Sequence, residues 1–170
     1  MKGLKLSVAM LVLTSSIAAH AGVVGAGVAQ SYQLDVVNAA QLTHSLTPVY
    51  PSLESGNLPV DTRLLKGDVT SSSPVSSVAL QWINGTPDSD GSRRVYADKN
   101  DPNNQLVVKF SSSNKNASMQ DGGDGSNYFV VPAEAESGQT HFEYMVVSAQ
   151  DQKIKAGSYE ISVNAYQWVS

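Results

Sequence analysis

Glu134 and Glu136 stand two positions apart at the end of an extended run, so on a strand both carboxylates would face one side. Paired carboxylates of this kind do acid/base work at glycosidic bonds, although the same two residues also read as the solvated edge of a loop, which the surrounding sequence favours. Ser112-Ser-Asn-Lys115 matches the S-x-x-K string of serine acyl-enzymes. That chemistry needs the serine at a helix start and two further motifs, and neither context is present. Asp88-Ser-Asp-Gly91 and Asp121-Gly-Gly-Asp-Gly125 resemble calcium loops, yet counting from Asp88 the bidentate position is Lys99, which cannot ligate a cation. His44 and His141 have no Asp, Glu or His at a metal-ligand spacing. The residues therefore predict no catalytic set, no metal and no cofactor. Lys66-Gly-Asp68 lies within an extended run rather than a presented loop, and the sequons Asn84-Gly-Thr86 and Asn116-Ala-Ser118 mark surface turns.

The chain that must position these residues has 170 residues, one domain's worth, and no Cys. Met1-Lys-Gly-Leu-Lys5 is a basic start, Leu6 to Ile17 is a mostly apolar run, and Ala19-His20-Ala21 is an A-x-A cleavage site. Together they predict a bacterial-type secretory signal over residues 1–21, too short in its apolar part to span a bilayer. Losing Lys2 and Lys5 with it leaves 9 Lys and Arg against 15 Asp and Glu, so the net charge moves from −4 to −6. No basic patch remains to neutralise phosphates, and nucleic acid is not an expected partner.

Gly22 to Ala29 holds only Gly, Ala and Val and reads as a flexible leader. From Gln30 the pattern tightens, with Tyr32, Leu34 and Val36 alternating with Gln33, Asp35 and Val37, a short strand with one apolar face. Leu42, His44 and Leu46 predict a strand ending at Pro48, because Pro48 and Pro51 would stop a helix early. Residues 50–61 read as a loop, and 64–71 as a strand in which Gly67 suggests a bulge. Val78 to Ile83 closes in Asn84-Gly85, a hairpin-type turn signal. Residues 94–97, 106–112, 128–131 and 142–148 are further strands, and the polar, Gly-rich 114–127 is a surface loop. The last fourteen residues, from Gly157, form a terminal strand with Tyr159, Ile161, Val163 and Ala165 on one face. Many short strands with no credible helix predict an all-β sandwich.

The two ends of the chain resemble the pilins of the periplasmic chaperone and outer-membrane usher pathway. Gly157 is the fourteenth residue from the end and is followed by alternating apolar residues; where the family places an aromatic next to last, this chain has Val169, with Trp168 one place earlier. Leu42-Thr-His-Ser-Leu-Thr-Pro-Val49, at its distance from Tyr32-Gln-Leu-Asp-Val36, is similar to the Cys-free, Saf-like atypical fimbrial subunits. The resemblance implies an incomplete immunoglobulin-like sandwich over 39–170 that lacks its last strand, preceded by a donor extension over 22–38. It implies donor residues Tyr32, Leu34 and Val36, and an acceptor groove lined by Leu42, Leu46, Tyr159, Ile161 and Val163. Gly157 and Trp168 belong to the implied chaperone-recognition motif.

Implied partners are identical or related pilin subunits, a periplasmic chaperone and an outer-membrane usher, with a host receptor left open. The implied location is the surface of a Gram-negative bacterium, reached through the periplasm. A second reading remains: a monomeric secreted β-sandwich that binds a carbohydrate or protein ligand and pairs Gln30 to Val37 within its own chain. Fold alone does not choose between them.

Overall fold

Alternation of apolar and polar residues builds two antiparallel sheets that bury their apolar faces against each other. The computed structural model describes residues 40–88, 90–97, 101 and 103–169. The expected signal segment and the expected donor residues Tyr32, Leu34 and Val36 lie outside the described residues. Among the described residues there is no helix. The strands are β1 (Leu42–Pro48), β2 (Gly56–Leu58), β3 (Arg63–Val75), β4 (Ser77–Trp82), β5 (Thr86–Pro87) and β6 (Arg93–Tyr96). They continue with β7 (Gln105–Ser111), β8 (Ser118–Asp121), β9 (Asn127–Pro132), β10 (Gln139–Ser148), β11 (Gln152–Ile154) and β12 (Val163–Gln167).

One sheet runs β1-β3-β10-β7-β6-β5, the other β12-β4-β9-β8, and β11 pairs with β2 in a small third sheet. Between the two large sheets sits an aromatic spine. Trp82 stacks on Phe110 at 3.8 Å between ring centroids, Phe129 packs on Phe110 at 5.5 Å, and Tyr144 meets Phe110 edge-on at 5.7 Å. Val69, Val78, Leu80, Val108, Phe142 and Val146 fill the space around them, all nearly inaccessible to solvent. Each such side chain contributes roughly 1.5–3 kcal/mol on burial, and without Cys this core and the ladders carry the stability. With β1 and β12 at the sheet edges, this is an incomplete immunoglobulin-like sandwich lacking its last strand.

Three local expectations are corrected. Gly67 makes no bulge: it pairs in register with Leu46 on β1 and Tyr144 on β10, and a Cβ there would lie 2.1 Å from the Tyr144 ring. It is glycine because that ring crosses β3 at this point. Asn84-Gly85 does not close a hairpin, since β4 and β5 belong to different sheets; the chain crosses between layers here, with Gly85 at φ 79°. The terminal strand begins at Val163 rather than near Gly157, because its partner β4 ends at Trp82 and beyond it the contact narrows to the Ile83 N–H donating to the Ser162 carbonyl. Residues 160–162 are instead held by Asn84, whose amide nitrogen donates to the Glu160 carbonyl at 2.8 Å while its oxygen accepts from the Ser162 N–H at 3.1 Å. The loops expected over 50–61 and 114–127 also contain the short strands β2 and β8, which β11 and β9 stabilise from the side.

Candidate functional site

The site is a seam between two unpaired edges. β1 pairs only with β3 and β12 only with β4, so each strand leaves one row of main-chain groups without a ladder partner among the described residues. Unpaired edges are templates for another strand, and what distinguishes this pair is the side chains between them. On β1 the half-buried residues are Leu42, His44 and Leu46, alternating with exposed Thr43, Ser45 and Thr47. Facing them are half-buried Tyr159, Ile161 and Ala165, which rest against the core together with Ala40, Leu42, Leu46 and Leu65. Val163 goes deeper and is 7% exposed. Of the five expected groove residues, Leu42, Leu46, Tyr159 and Ile161 are half-buried against the core and Val163 is buried in it.

At one end the seam opens into a cleft of about 220 Å³ whose walls include Leu53, Leu64, Leu65, Leu106, Ile154 and Ile161. Pro48 and Tyr159 also border it, so the end of β1 lies beside the lead-in to β12, and the two edges run in opposite directions. Apart from Ile161, sequence reasoning missed these wall residues because they come from separate segments of the chain. Tyr159 is fixed there by its hydroxyl, which donates to the Asn104 side chain and lies 3.0 Å from the Lys155 carbonyl. Gly157 packs beside Ala97, where a Cβ would come within 2.6 Å of that methyl. Trp168 lies apart from the seam: its ring packs at 5.6 Å on Tyr128, which also meets Tyr166 edge-on, and its backbone N–H donates to the Ser77 carbonyl.

His44 was read from sequence as a histidine without a metal spacing and as an in-phase member of the strand with Leu42 and Leu46, and no partner was foreseen for it. The Tyr144 hydroxyl, reaching across Gly67, lies 2.8 Å from His44 Nε2. Burial holds the imidazole below its ordinary range, and burial, followed by the charge of Asp68, pushes the Tyr144 phenol up. The phenol is neutral at any physiological pH and is the natural donor to the ring nitrogen. Because the folded-state value of His44 is depressed, its proton favours the unfolded chain. Stability is full above about pH 6.5 and is lost as the pH falls from there through the folded-state value. Melting curves from pH 7.5 to 5 should fall more steeply for the native protein than for His44→Gln; parallel curves would remove His44 as the cause.

On the outer face of β3 and β10, Asp68 and Glu143 are directly paired across the strands, a repulsive arrangement. Lys66 resolves it, with Nζ 3.2 Å from Asp68 Oδ1 and a hydrogen bond to Glu143, while His141 Nε2 lies 3.1 Å from the same Asp68 oxygen. Burial raises the Asp68 pKa, but the hydrogen bonds from His141 and Lys66 outweigh it and lower the value. Asp68, His141 and Glu143 could in principle ligate a metal; here Lys66 already supplies the positive charge that the carboxylates need. Glu134 and Glu136 are exposed after β9, and Ser112 and Lys115 lie in the turn after β7.

No protein-family model matches the sequence, and no curated protein does. Among solved structures, the fold is similar to the Salmonella SafD adhesin (TM-score 0.58, 17% identity, 76% of this chain and 88% of that one). It is similar to the Escherichia coli Hda pilus minor tip subunit HdaB (TM-score 0.59, 12% identity, 78% and 85%). A third likeness is to a structure of the AAF fimbriae of enteroaggregative Escherichia coli, described for fibronectin binding and biofilm formation (TM-score 0.60, 17% identity, 76% and 87%). At these identities the likeness establishes a common fold.

Proposed function

We propose that this chain is a structural subunit of a surface fimbria, polymerised by insertion of one subunit's N-terminal extension into the seam of the next. The observation that carries this reading is the pair of unpaired, oppositely running edges flanking a row of half-covered apolar side chains. An added strand would gain two main-chain ladders and cover that row at once, the physics of β-strand addition. Tyr32, Leu34 and Val36 are the donor residues, and Leu42, Leu46, Tyr159, Ile161 and Val163 receive them. Three apolar anchors at roughly 1.5–3 kcal/mol each, with main-chain bonds added, make a joint that opens very slowly.

In this proposal residues 1–21 are removed after Ala21, a periplasmic chaperone covers the seam near Gly157 and contacts Trp168 outside it, and an outer-membrane usher passes the subunit to the surface of a Gram-negative cell. The solved structures of similar fold are fimbrial subunits and adhesins rather than enzymes, and no enzymatic role is assigned here. A host receptor would be met on the surfaces left outside the joint.

The test is the form in which mature protein is recovered from the periplasm when a chaperone and usher of this pathway are co-expressed. Chaperone-bound subunits and heat-stable multimers are expected. A stable, self-contained monomer in the absence of chaperone would instead establish a secreted binding module.

A further inference from the structure

Within the alternation that gives Tyr32, Leu34 and Val36, the positions before them in the same phase are Val24, Ala26, Val28 and Gln30. One amide thus interrupts an otherwise apolar or aromatic face. The seam has a matching interruption, since along β1 the half-buried positions are Leu42, His44 and Leu46. Tyr144 is 2% exposed and among the described residues no group other than His44 accepts its hydroxyl proton, so it donates to His44 Nε2. The imidazole proton then resides on Nδ1, which has no partner among the described residues. An inserted strand would bury that N–H, and a buried donor without an acceptor is strongly disfavoured. A side-chain amide oxygen is the acceptor it lacks.

We infer that Gln30 of one subunit pairs with His44 of the next and thereby fixes the register of the inserted strand. The inference rests on the donor reading above. Every strand pair in the β12 sheet is antiparallel. An inserted strand antiparallel to β12 runs parallel to β1, because β1 and β12 run oppositely. With Gln30 at His44, Val28 comes to Leu42, Tyr32 to Leu46, and Leu34 to the cleft walled by Leu64, Leu65, Ile154 and Ile161. A slip of two residues keeps every side chain on its face, so the apolar pattern alone does not choose the register. It would, however, set Tyr32 or Val28 against the imidazole N–H. A single buried polar pair is a well-attested way to select one register among several.

The chain has no Cys, so introduced pairs report register without background. In the full-length protein assembled with chaperone and usher, Tyr32→Cys with Leu46→Cys should cross-link subunits into a covalent ladder on non-reducing gels. Leu34→Cys with Leu46→Cys, offset by two residues, should give about tenfold less. Adding Gln30→Leu to each should erase that preference. Equal ladders with Gln30 intact, a dominant offset ladder, or an unchanged preference after Gln30→Leu would each overturn the register lock while leaving strand donation standing. Ladders absent from both pairs would likewise overturn the register lock, and cross-links confined to monomers would overturn strand donation itself.

Discussion

Leu34→Arg is expected to leave soluble, chaperone-held subunit at the native yield and to abolish heat-stable polymers. In the donor arrangement Leu34 is the central anchor and belongs over the apolar cleft of the neighbouring subunit, not in the core of its own. The substitution removes roughly 1.5–3 kcal/mol of apolar burial. It also presents an unpaired guanidinium to walls formed by Leu64, Leu65, Ile154 and Ile161, at a further cost of several kcal/mol. Among the described residues the charged side chain bordering that cleft is Lys155 and none is acidic, so no ion pair there offsets the loss. The decisive measurement is a pair: recovery of the subunit–chaperone complex, and the length distribution of polymers on gels without boiling. Normal polymers would exclude Leu34 as a donor anchor. Loss of the folded complex would place Leu34 in its own domain and favour the secreted module.

Gly67→Ala is expected to destabilise the domain itself by about 3 kcal/mol, the upper range for overpacking a filled core. The new methyl would sit 2.1 Å from Tyr144 Cε1 and 2.2 Å from Cζ, both well inside contact distance. The ring has nowhere to retreat, since Phe110 meets it edge-on and its hydroxyl is tied to His44. Either β3 separates from β10 or the ring leaves its place and breaks that hydrogen bond. A fall in melting temperature of roughly 10 °C should follow, and Tyr144→Leu in the same chain should restore part of it by vacating the space. A melting temperature within a degree of the native value would show that the ring does not need this gap.

The strands that line the core were legible because their side chains alternate. Leu106, Val108 and Phe110, or Val78, Leu80 and Trp82, announce a buried face without reference to any neighbour. β8 was not legible, since Ser118, Met119, Gln120 and Asp121 are all exposed and the strand exists only because β9 lies beside it. β3 runs on past Ser71 to Val75 for a similar reason: Gln139 pairs with Val75, while the Gln41 carbonyl accepts from the Ser72 N–H, and that polar stretch has no strand signal of its own. Gly67 was misread because sequence shows that a side chain is missing but not what fills the space.

At the seam, the inward faces of Leu42 and Leu46 and of Tyr159, Ile161 and Val163 follow from phase, while their grouping as a groove came from the resemblance. His44 shares their phase, but its importance comes from Tyr144, a hundred residues away. Asn84 is the same kind of case, a turn residue in the sequence and a surrogate strand partner in the fold.

β12 is joined to β4 at every residue from Val163 to Gln167, and Asn84 carries the attachment back to Glu160. In a fibre of the kind proposed, tension between subunits acts along the inserted strand and hence along β12. The hydrogen bonds of an antiparallel ladder lie perpendicular to that direction. They are loaded in shear and must fail together, whereas a force applied across the strands would peel them one at a time. The joint is thus anisotropic, strong against the pull of flow on a tethered cell and weaker against a sideways tug on a strand end. Stretching single fibres by their ends should accordingly unravel the sandwiches before it separates one subunit from the next.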